Sequence, residues 1–231
     1  MNPSAAGNIY IKSMLYRDRQ EAGRQLAPSL GAFTAAPDTA VFALPRGGIP
    51  VAAELARALR LPLDVFAVRK LTAPQEPELA LGAVARGGVT ILNPEVLADL
   101  GLSAAQVSAL AAREMERVEG WEAALRGGRP AVDPRDKTIL AVDDGLATGA
   151  SMRAAVLALR QAGAARVIAV IPVGSASACR ELARVTDQTV CLQTPQRFQA
   201  VGEWYRNFPQ LTDADARQWL AAAGPVPAPA A

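Results

Sequence analysis

Two adjacent carboxylates, Asp143 and Asp144, stand where a short apolar run, Ile139 to Val142, comes to its end. Behind them runs Gly145-Leu146-Ala147-Thr148-Gly149-Ala150-Ser151, a stretch of small residues carrying two hydroxyls. The chemistry such a set serves is the grip on a phosphorylated sugar. Backbone N–H groups of a small-residue loop at a helix start surround a phosphate dianion, and Thr148 and Ser151 add hydroxyl donors. Each charge-assisted hydrogen bond of that kind contributes roughly 1.5–3 kcal/mol. Ionised carboxylates only accept, so beside a phosphate loop they suit the hydroxyls of a ribose and a hydrated magnesium ion.

A second set lies at Pro45-Arg46-Gly47-Gly48, directly after the apolar run Thr39 to Leu44. Two glycines let the backbone approach a ligand closely, and an arginine binds phosphoryl oxygens in a bidentate fork. Arg69 and Lys70 form a third group, closing the apolar run Leu63 to Val68. They suit departing phosphoryl charge, and equally a solvated strand end.

These groups need a scaffold that brings loop ends together. Ile139–Val142 is too short for a helix and reads as a buried strand, with Met152, Ala155, Val156 and Leu159 at helical spacing behind it. Thr39–Leu44 reads as a strand and about Pro50 to Leu59 as a helix. Leu63–Val68, Arg166–Pro172 and Gln188–Gln193 read as further strands, with a helix over Ala176–Val185. Repeated strand–helix alternation predicts an α/β fold, a parallel sheet with helices on both faces, whose ligands gather at the carboxyl ends of the strands. Leu71 to Glu78 holds Pro74 and Pro77 without periodicity and is expected to be a mobile loop. Leu79–Ala85 and Val89–Leu92 read as a hairpin around Arg86-Gly87-Gly88.

Composition narrows the function classes. There is no histidine, which removes imidazole catalysis and His-ligated metals. A net charge of +2 and an aromatic content of 5% give nucleic acid no footing, so a nucleic-acid partner is not expected. No apolar run approaches the ~20 residues of a membrane span. Cys179 and Cys191 lack a Cys-x-x-Cys context and read as reduced core residues. With no leader-like start, a cytoplasmic setting is expected. Neither Gly-x-Gly-x-x-Gly nor a Walker-type loop occurs, which counts against dinucleotide and P-loop chemistry.

The flanks carry less chemistry. Residues 1–16 read as a lead-in, and Asp18–Phe33 as an amphipathic helix whose second half is weakened by Pro28. Residues 94–126 form a long helical insert with a capping box at Ser103–Gln106, suited to packing or to a dimer surface. Aromatics gather at Phe198, Trp204, Tyr205 and Phe208. Thr212–Leu220 reads as a capped helix, and the Pro/Ala-rich end as disordered.

The run Ile139–Ser151 resembles the signature of the type I phosphoribosyltransferases, which bind 5-phosphoribosyl 1-pyrophosphate (PRPP). Their pattern is an apolar strand, two acids, two mostly apolar residues, then Ala/Asp-Thr-Gly-x-Ser/Thr; Gly145 is the mild departure. The Arg46-Gly47-Gly48 loop is most similar to that of the xanthine–guanine enzymes. The resemblance implies one domain over residues 1–220, with a hood from about 1–33 and 194–220, an insert at about 94–130 and a tail at 221–231. It implies a transferase that moves the 5-phosphoribosyl group from PRPP to a nitrogenous base, with Mg2+, in a homodimer. By the same resemblance Ala147, Thr148, Gly149, Ala150 and Ser151 hold the 5-phosphate. Asp143 and Asp144 hold the ribose hydroxyls and the metal, directly or through water. Arg46, Gly47 and Gly48 hold pyrophosphate, with Arg69 and Lys70 closing over it, and the Pro45–Arg46 peptide is cis.

A lid over residues 71–78 and a base-covering hood belong to the same likeness. Phe198 or Tyr205 would stack on the base or else anchor the hood, and Gln196 or Asn207 would read its edge. Glu76 or Glu78 offers a general acid. The 6-oxopurine enzymes carry an aspartate where Ala147 stands; an Ala-Thr-Gly loop is more like the adenine and orotate enzymes. The base stays open. A different class is also compatible with the same residues: a regulator on this fold that senses PRPP or nucleotides without catalysis.

Overall fold

The computed structural model describes residues 15–73, 76–93, 96, 97, 100 and 102–223. In chain order the elements are α1 (Arg19–Leu26), a 3-10 segment (Ala27–Phe33), β1 (Thr39–Ala43), α2 (Gly48–Leu59), β2 (Leu63–Val65), β3 (Val68–Ala73), β4 (Glu76–Ala85) and β5 (Val89–Leu92). Then follow α3 (Ala104–Arg126), β6 (Thr138–Val142), α4 (Ala150–Gln161), β7 (Arg166–Val173), α5 (Ala176–Leu182), β8 (Gln188–Gln193), a short 3-10 turn (Val201–Trp204) and α6 (Asp213–Ala222).

Alternation along the strands puts helices on both faces of the main sheet, because successive side chains point to opposite sides. Val41, Leu140, Val142, Ile168 and Val170 join Val51, Leu55 and Leu59 of α2 in one core. Their neighbours Phe42, Ile139, Ala141, Val167 and Ala169 join Met152, Ala155, Val156 and Leu159 of α4 in the other. The sheet runs β2-β1-β6-β7-β8, every pair parallel. This is the doubly covered parallel sheet the sequence predicts. A second, antiparallel sheet orders β3-β4-β5 and packs on α3 through Leu71, Leu81, Val84, Val107, Ala111 and Val118.

Four expectations are corrected. Leu63–Val68 is not one strand: β2 stops at Val65, and Val68–Ala73 leaves the parallel sheet to pair antiparallel with β4. Residues 71–73 and 76–78 are therefore strand rather than loop; within that stretch 74 and 75 lie outside the described residues. The cause is burial, since Leu71 and Ala73 cover α3 with 1% and 5% of their surface exposed. Helix α1 ends at Leu26, and the chain tightens to 3-10 geometry where Pro28 removes an N–H donor. At the other end α6 runs on through Ala221 and Ala222, into the tail the sequence suggested, and 224–231 lie outside the described residues.

The insert helix α3 starts on the expected capping box, with the Ser103 and Gln106 side chains each bonding the other's backbone N–H. Its far end is fastened by charge. Asp64 of β2 accepts from Val65 N (2.7 Å), Arg126 Nε (2.7 Å), Arg86 Nη1 (2.9 Å) and Val132 N (2.9 Å). Glu122 is fully buried, accepts from Ala67 N at 2.6 Å and pairs with Arg126. Its burial pushes the carboxyl above its usual range, against the pull of Arg86 and Arg126. With both acids paired and hydrogen-bonded, the cluster meets the condition under which buried charge is tolerated.

Candidate active site

Asp143 and Asp144 follow the last residue of β6, at the carboxyl edge of the sheet. The adjacent strand β1 sends its loop across to them: Leu44 N donates to Val142 O at 2.8 Å. That loop contains a cis peptide between Pro45 and Arg46, as the family resemblance implies. Glycine is obligatory beside the acids. A Cβ on Gly47 would sit 2.1 Å from Asp144 Oδ2, and one on Gly48 would sit 2.5 Å from Val142 O. Above this edge lies a cavity of about 460 Å³, with Arg19, Arg46, Gly47, Asp143, Asp144 and Phe208 in its wall.

The carboxylates are fixed in different ways. Asp143 Oδ1 accepts from Asp144 N at 2.9 Å. Asp144 Oδ2 accepts from Arg19 Nε at 2.8 Å, with 8% and 14% of the Arg19 and Asp144 side chains exposed. Burial, then the neighbouring Asp144 charge, holds the Asp143 carboxyl well above the usual carboxylate range. Burial raises Asp144 as well, while Arg19 opposes it. Among the described residues no group of three or more His, Cys, Asp or Glu converges. A divalent ion held here would keep most of its ligands as water or substrate oxygens, which is how magnesium sits in phosphate sites.

The small-residue loop opens on a neighbouring cavity of about 790 Å³, lined by Thr148, Gly149, Ala150, Ser151, Arg153 and Lys70 among others. Gly149, at φ 77°, is the N-cap of α4, so the helix start and its free N–H groups face this space. The loop is tied to the next crossover: Leu146 N donates to Val173 O, Ser175 N to Leu146 O, and Ser175 Oγ to Ala147 O, each at 2.9 Å. Ala147, Thr148 and Ser151 reach solvent, as does Ala150 at the first position of the helix.

The structure brings Arg46, Gly47, Gly48, Asp143 and Asp144 together and separates Arg69 from Lys70. Consecutive strand residues point to opposite faces, and here Lys70 lines the same cavity as the loop at the start of α4 while Arg69 pairs with Glu114 of α3 at 2.9 Å. Arg46 also bonds Asp213 at the start of α6, at 3.3 Å. Tyr205 is 5% exposed, sits between the rings of Tyr16 (5.4 Å) and Phe208 (4.9 Å), and donates its hydroxyl to Asp144 O at 2.5 Å. Of the two roles open to it, that geometry fits the hood anchor. Burial, followed by the Asp144 charge, raises its phenol. Phe198 stacks on Trp204, with centroids 6.5 Å apart.

Sequence reasoning missed Arg19. Its guanidinium lies 3.7 Å over the Phe208 ring centroid, and Nη1 donates to Pro209 O at 2.9 Å. A signal was present: Arg19 sits three residues before Ala22 and seven before Leu26, on the apolar stripe of α1, where a charge needs a partner.

A family model described as the phosphoribosyl transferase domain matches residues 30–205. The chain belongs to the phosphoribosyltransferase family. It is 40% identical over 206 residues to the "putative phosphoribosyl transferase" Rv0571c of Mycobacterium tuberculosis H37Rv, and equally to its counterpart in strain CDC 1551. These alignments cover 89% of the chain but 46% of each relative, so the chain spans about half the length of the curated relatives it matches. Among solved structures, TT1426 of Thermus thermophilus is similar at 39% identity and a TM-score of 0.78, covering 90% of this chain and 99% of that one. These likenesses support the family and the fold, and not the closer likeness of the Arg-Gly-Gly loop to the xanthine–guanine enzymes. Among the described residues no helix is long and apolar enough to cross a membrane.

Proposed function

We propose that the chain transfers the 5-phosphoribosyl group of PRPP to a nitrogenous base and releases pyrophosphate. The observation that carries this reading is the convergence of Asp143 and Asp144 with Arg46 and Gly47 around one cavity, next to the loop at the start of α4. The N-terminus of α4, with Thr148 and Ser151, binds the 5-phosphate, and Lys70 faces it from the hairpin. Asp143 and Asp144 accept from the ribose hydroxyls. The loop from Arg46 to Gly48 takes the pyrophosphate, whose close approach depends on the missing side chains.

A ring nitrogen of the base attacks C1 of the ribose as the C1–O bond to pyrophosphate breaks, and the bond electrons leave with pyrophosphate. The base then loses its proton to solvent or to a neighbouring acceptor. Most of the acceleration comes from holding the two reactants in line and from donors fixed around the leaving group. Asp143 and Asp144 would hold a Mg2+ ion, directly or through water, and it would supply charge neutralisation for the leaving pyrophosphate. Ala147 offers no polar side-chain contact to the base, so its identity is read by the hood. A homodimer and a cytoplasmic setting belong to the same reading, the first checked by light scattering and the second by fractionation.

The test is isothermal titration with PRPP and Mg2+ on the wild type and on Asp143→Asn/Asp144→Asn, followed by a panel of purine and pyrimidine bases with pyrophosphate release as readout. Binding that disappears in the double variant, with release for one base, is the expected result. Binding with release for no base would favour a PRPP-sensing regulator. No binding by the wild type would sink the proposal.

A further inference from the structure

Pyrophosphate is a dense polyanion, and the cations expected around it are dispersed in the structure. Arg69 is engaged by Glu114 on the far face of β3, Lys70 lines the other cavity, and Arg46 shares its guanidinium with Asp213. Arg19, from a different part of the chain, lines the same cavity as Arg46 and Gly47. We propose that Arg19 binds the pyrophosphate group directly, as the second guanidinium of that subsite. The inference rests on the PRPP reading above and adds to it a residue from α1.

The geometry of the side chain supports a donor that is built in rather than recruited. Nε is committed to Asp144 Oδ2 at 2.8 Å and Nη1 to Pro209 O at 2.9 Å. Nη2 makes no hydrogen bond among the described residues, and the residue as a whole is 7% exposed. The Phe208 ring, 3.7 Å from Cζ, closes one face of the guanidinium plane. An arginine held at two nitrogens and one face has little rotamer freedom left to lose when an anion arrives. The pairing with Asp144 cancels charge at long range, yet leaves a short-range donor for a phosphoryl oxygen within reach of Gly47. One guanidinium thereby registers the sugar acid against the leaving group.

The experiment uses the full chain as wild type, Arg19→Gln and Arg19→Lys. Each is titrated in Mg2+ with inorganic pyrophosphate and, separately, with ribose 5-phosphate, which lacks the leaving group. Thermal unfolding checks the fold of each variant. For Arg19→Gln the expected result is about a tenfold or greater weakening for pyrophosphate, as one charge-assisted hydrogen bond is lost. Ribose 5-phosphate should weaken no more than about threefold, since Asp143 keeps its backbone partner. Arg19→Lys should recover part of the pyrophosphate affinity. Equal losses for both ligands would overturn the proposal and leave Arg19 a support for Asp144 alone. Unchanged pyrophosphate binding would also overturn it. A wild type that binds ribose 5-phosphate but no pyrophosphate refutes the Arg19 assignment while leaving the sugar site standing; one that binds neither refutes the PRPP reading itself. If Arg19→Gln does not fold, the same comparison is read from Arg19→Lys and from Phe208→Leu, which removes the ring stacked on the guanidinium together with its contact to Tyr205.

Discussion

Replacing Gly47 by alanine tests how tightly the acid pair is set. The added methyl would lie 2.1 Å from Asp144 Oδ2 and 2.6 Å from Cγ, where ordinary contact begins at 3.4 Å. The carboxylate would have to retreat by about 1.3 Å. It cannot do so and keep the 2.8 Å bond to Arg19, which is itself held by Pro209 O and the Phe208 ring. Losing a charge-assisted, mostly buried hydrogen bond costs about 2–3 kcal/mol. For a chain of this length each kcal/mol moves the melting temperature by roughly 2–4 °C, so Gly47→Ala should melt about 4–12 °C below wild type. The assay is thermal unfolding by circular dichroism, run in parallel on Asp144→Ala and on the double variant. With the carboxylate gone the methyl meets little, and Gly47→Ala should then cost less than about 0.5 kcal/mol, a coupling characteristic of residues in contact. A full-sized loss in the Asp144→Ala background would refute the argument that the carboxylate is what excludes a side chain at position 47.

Further outcomes are expected elsewhere. Glu122→Ala leaves the buried Ala67 N–H without its acceptor and Arg126 with Asp64 as its remaining acid partner, and should cost about 1–3 kcal/mol in urea unfolding, whereas Glu122→Gln keeps an acceptor for Ala67 and should cost less. The raised Asp143 carboxyl means that the folded state holds its proton more tightly than the unfolded chain does. Stability should therefore fall as pH rises from the ordinary carboxylate range up to the raised value, and Asp143→Asn should flatten that part of the pH profile. A steeper decline in the variant would contradict the sign. Lys70→Ala should weaken binding of ribose 5-phosphate by about tenfold, and Arg69→Ala, which breaks an exposed pair, should leave it unchanged and shift stability by less than about 1 kcal/mol.

How legible the protein is from its sequence depends on the range of the interaction. The acids, the loop to Ser151 and the start of α4 are contiguous, so strand, turn and helix signals sit side by side and can be read together. The alternating apolar strands predict the two-faced sheet for the same reason. The switch from β2 to β3 leaves no such local mark, because Arg69, Lys70 and Thr72 interrupt the apolar pattern of Val68–Ala73, and only Leu71 and Ala73 are drawn into a core by α3, which lies far along the chain. Arg69 and Lys70 look alike as neighbours in the sequence, and only the orientation of the strand sends one to Glu114 and the other to the cavity at the start of α4. Arg19 and Asp144 are separated by 125 positions, so their pairing is written in the tertiary fold alone. The lone charge on the apolar stripe of α1 marks that Arg19 has a partner without naming it.

The carboxylate of Asp64 has a consequence for how the molecule is held together. The chain leaves the parallel sheet just after it, at Val65, and comes back beside it at Val132; both of those backbone N–H groups, with Arg86 from the hairpin and Arg126 from the helix, converge on its two oxygens. The described parts of the hairpin and the long helix are fastened at this acid, and they also pack into the two cores of the parallel sheet, through Ala85 and Val89 on one face and Leu125 on the other. Lys70 stands on the hairpin so fastened. The position of a cation facing the loop at the start of α4 is then set in part at a buried acid on the sheet's outer strand, away from that loop.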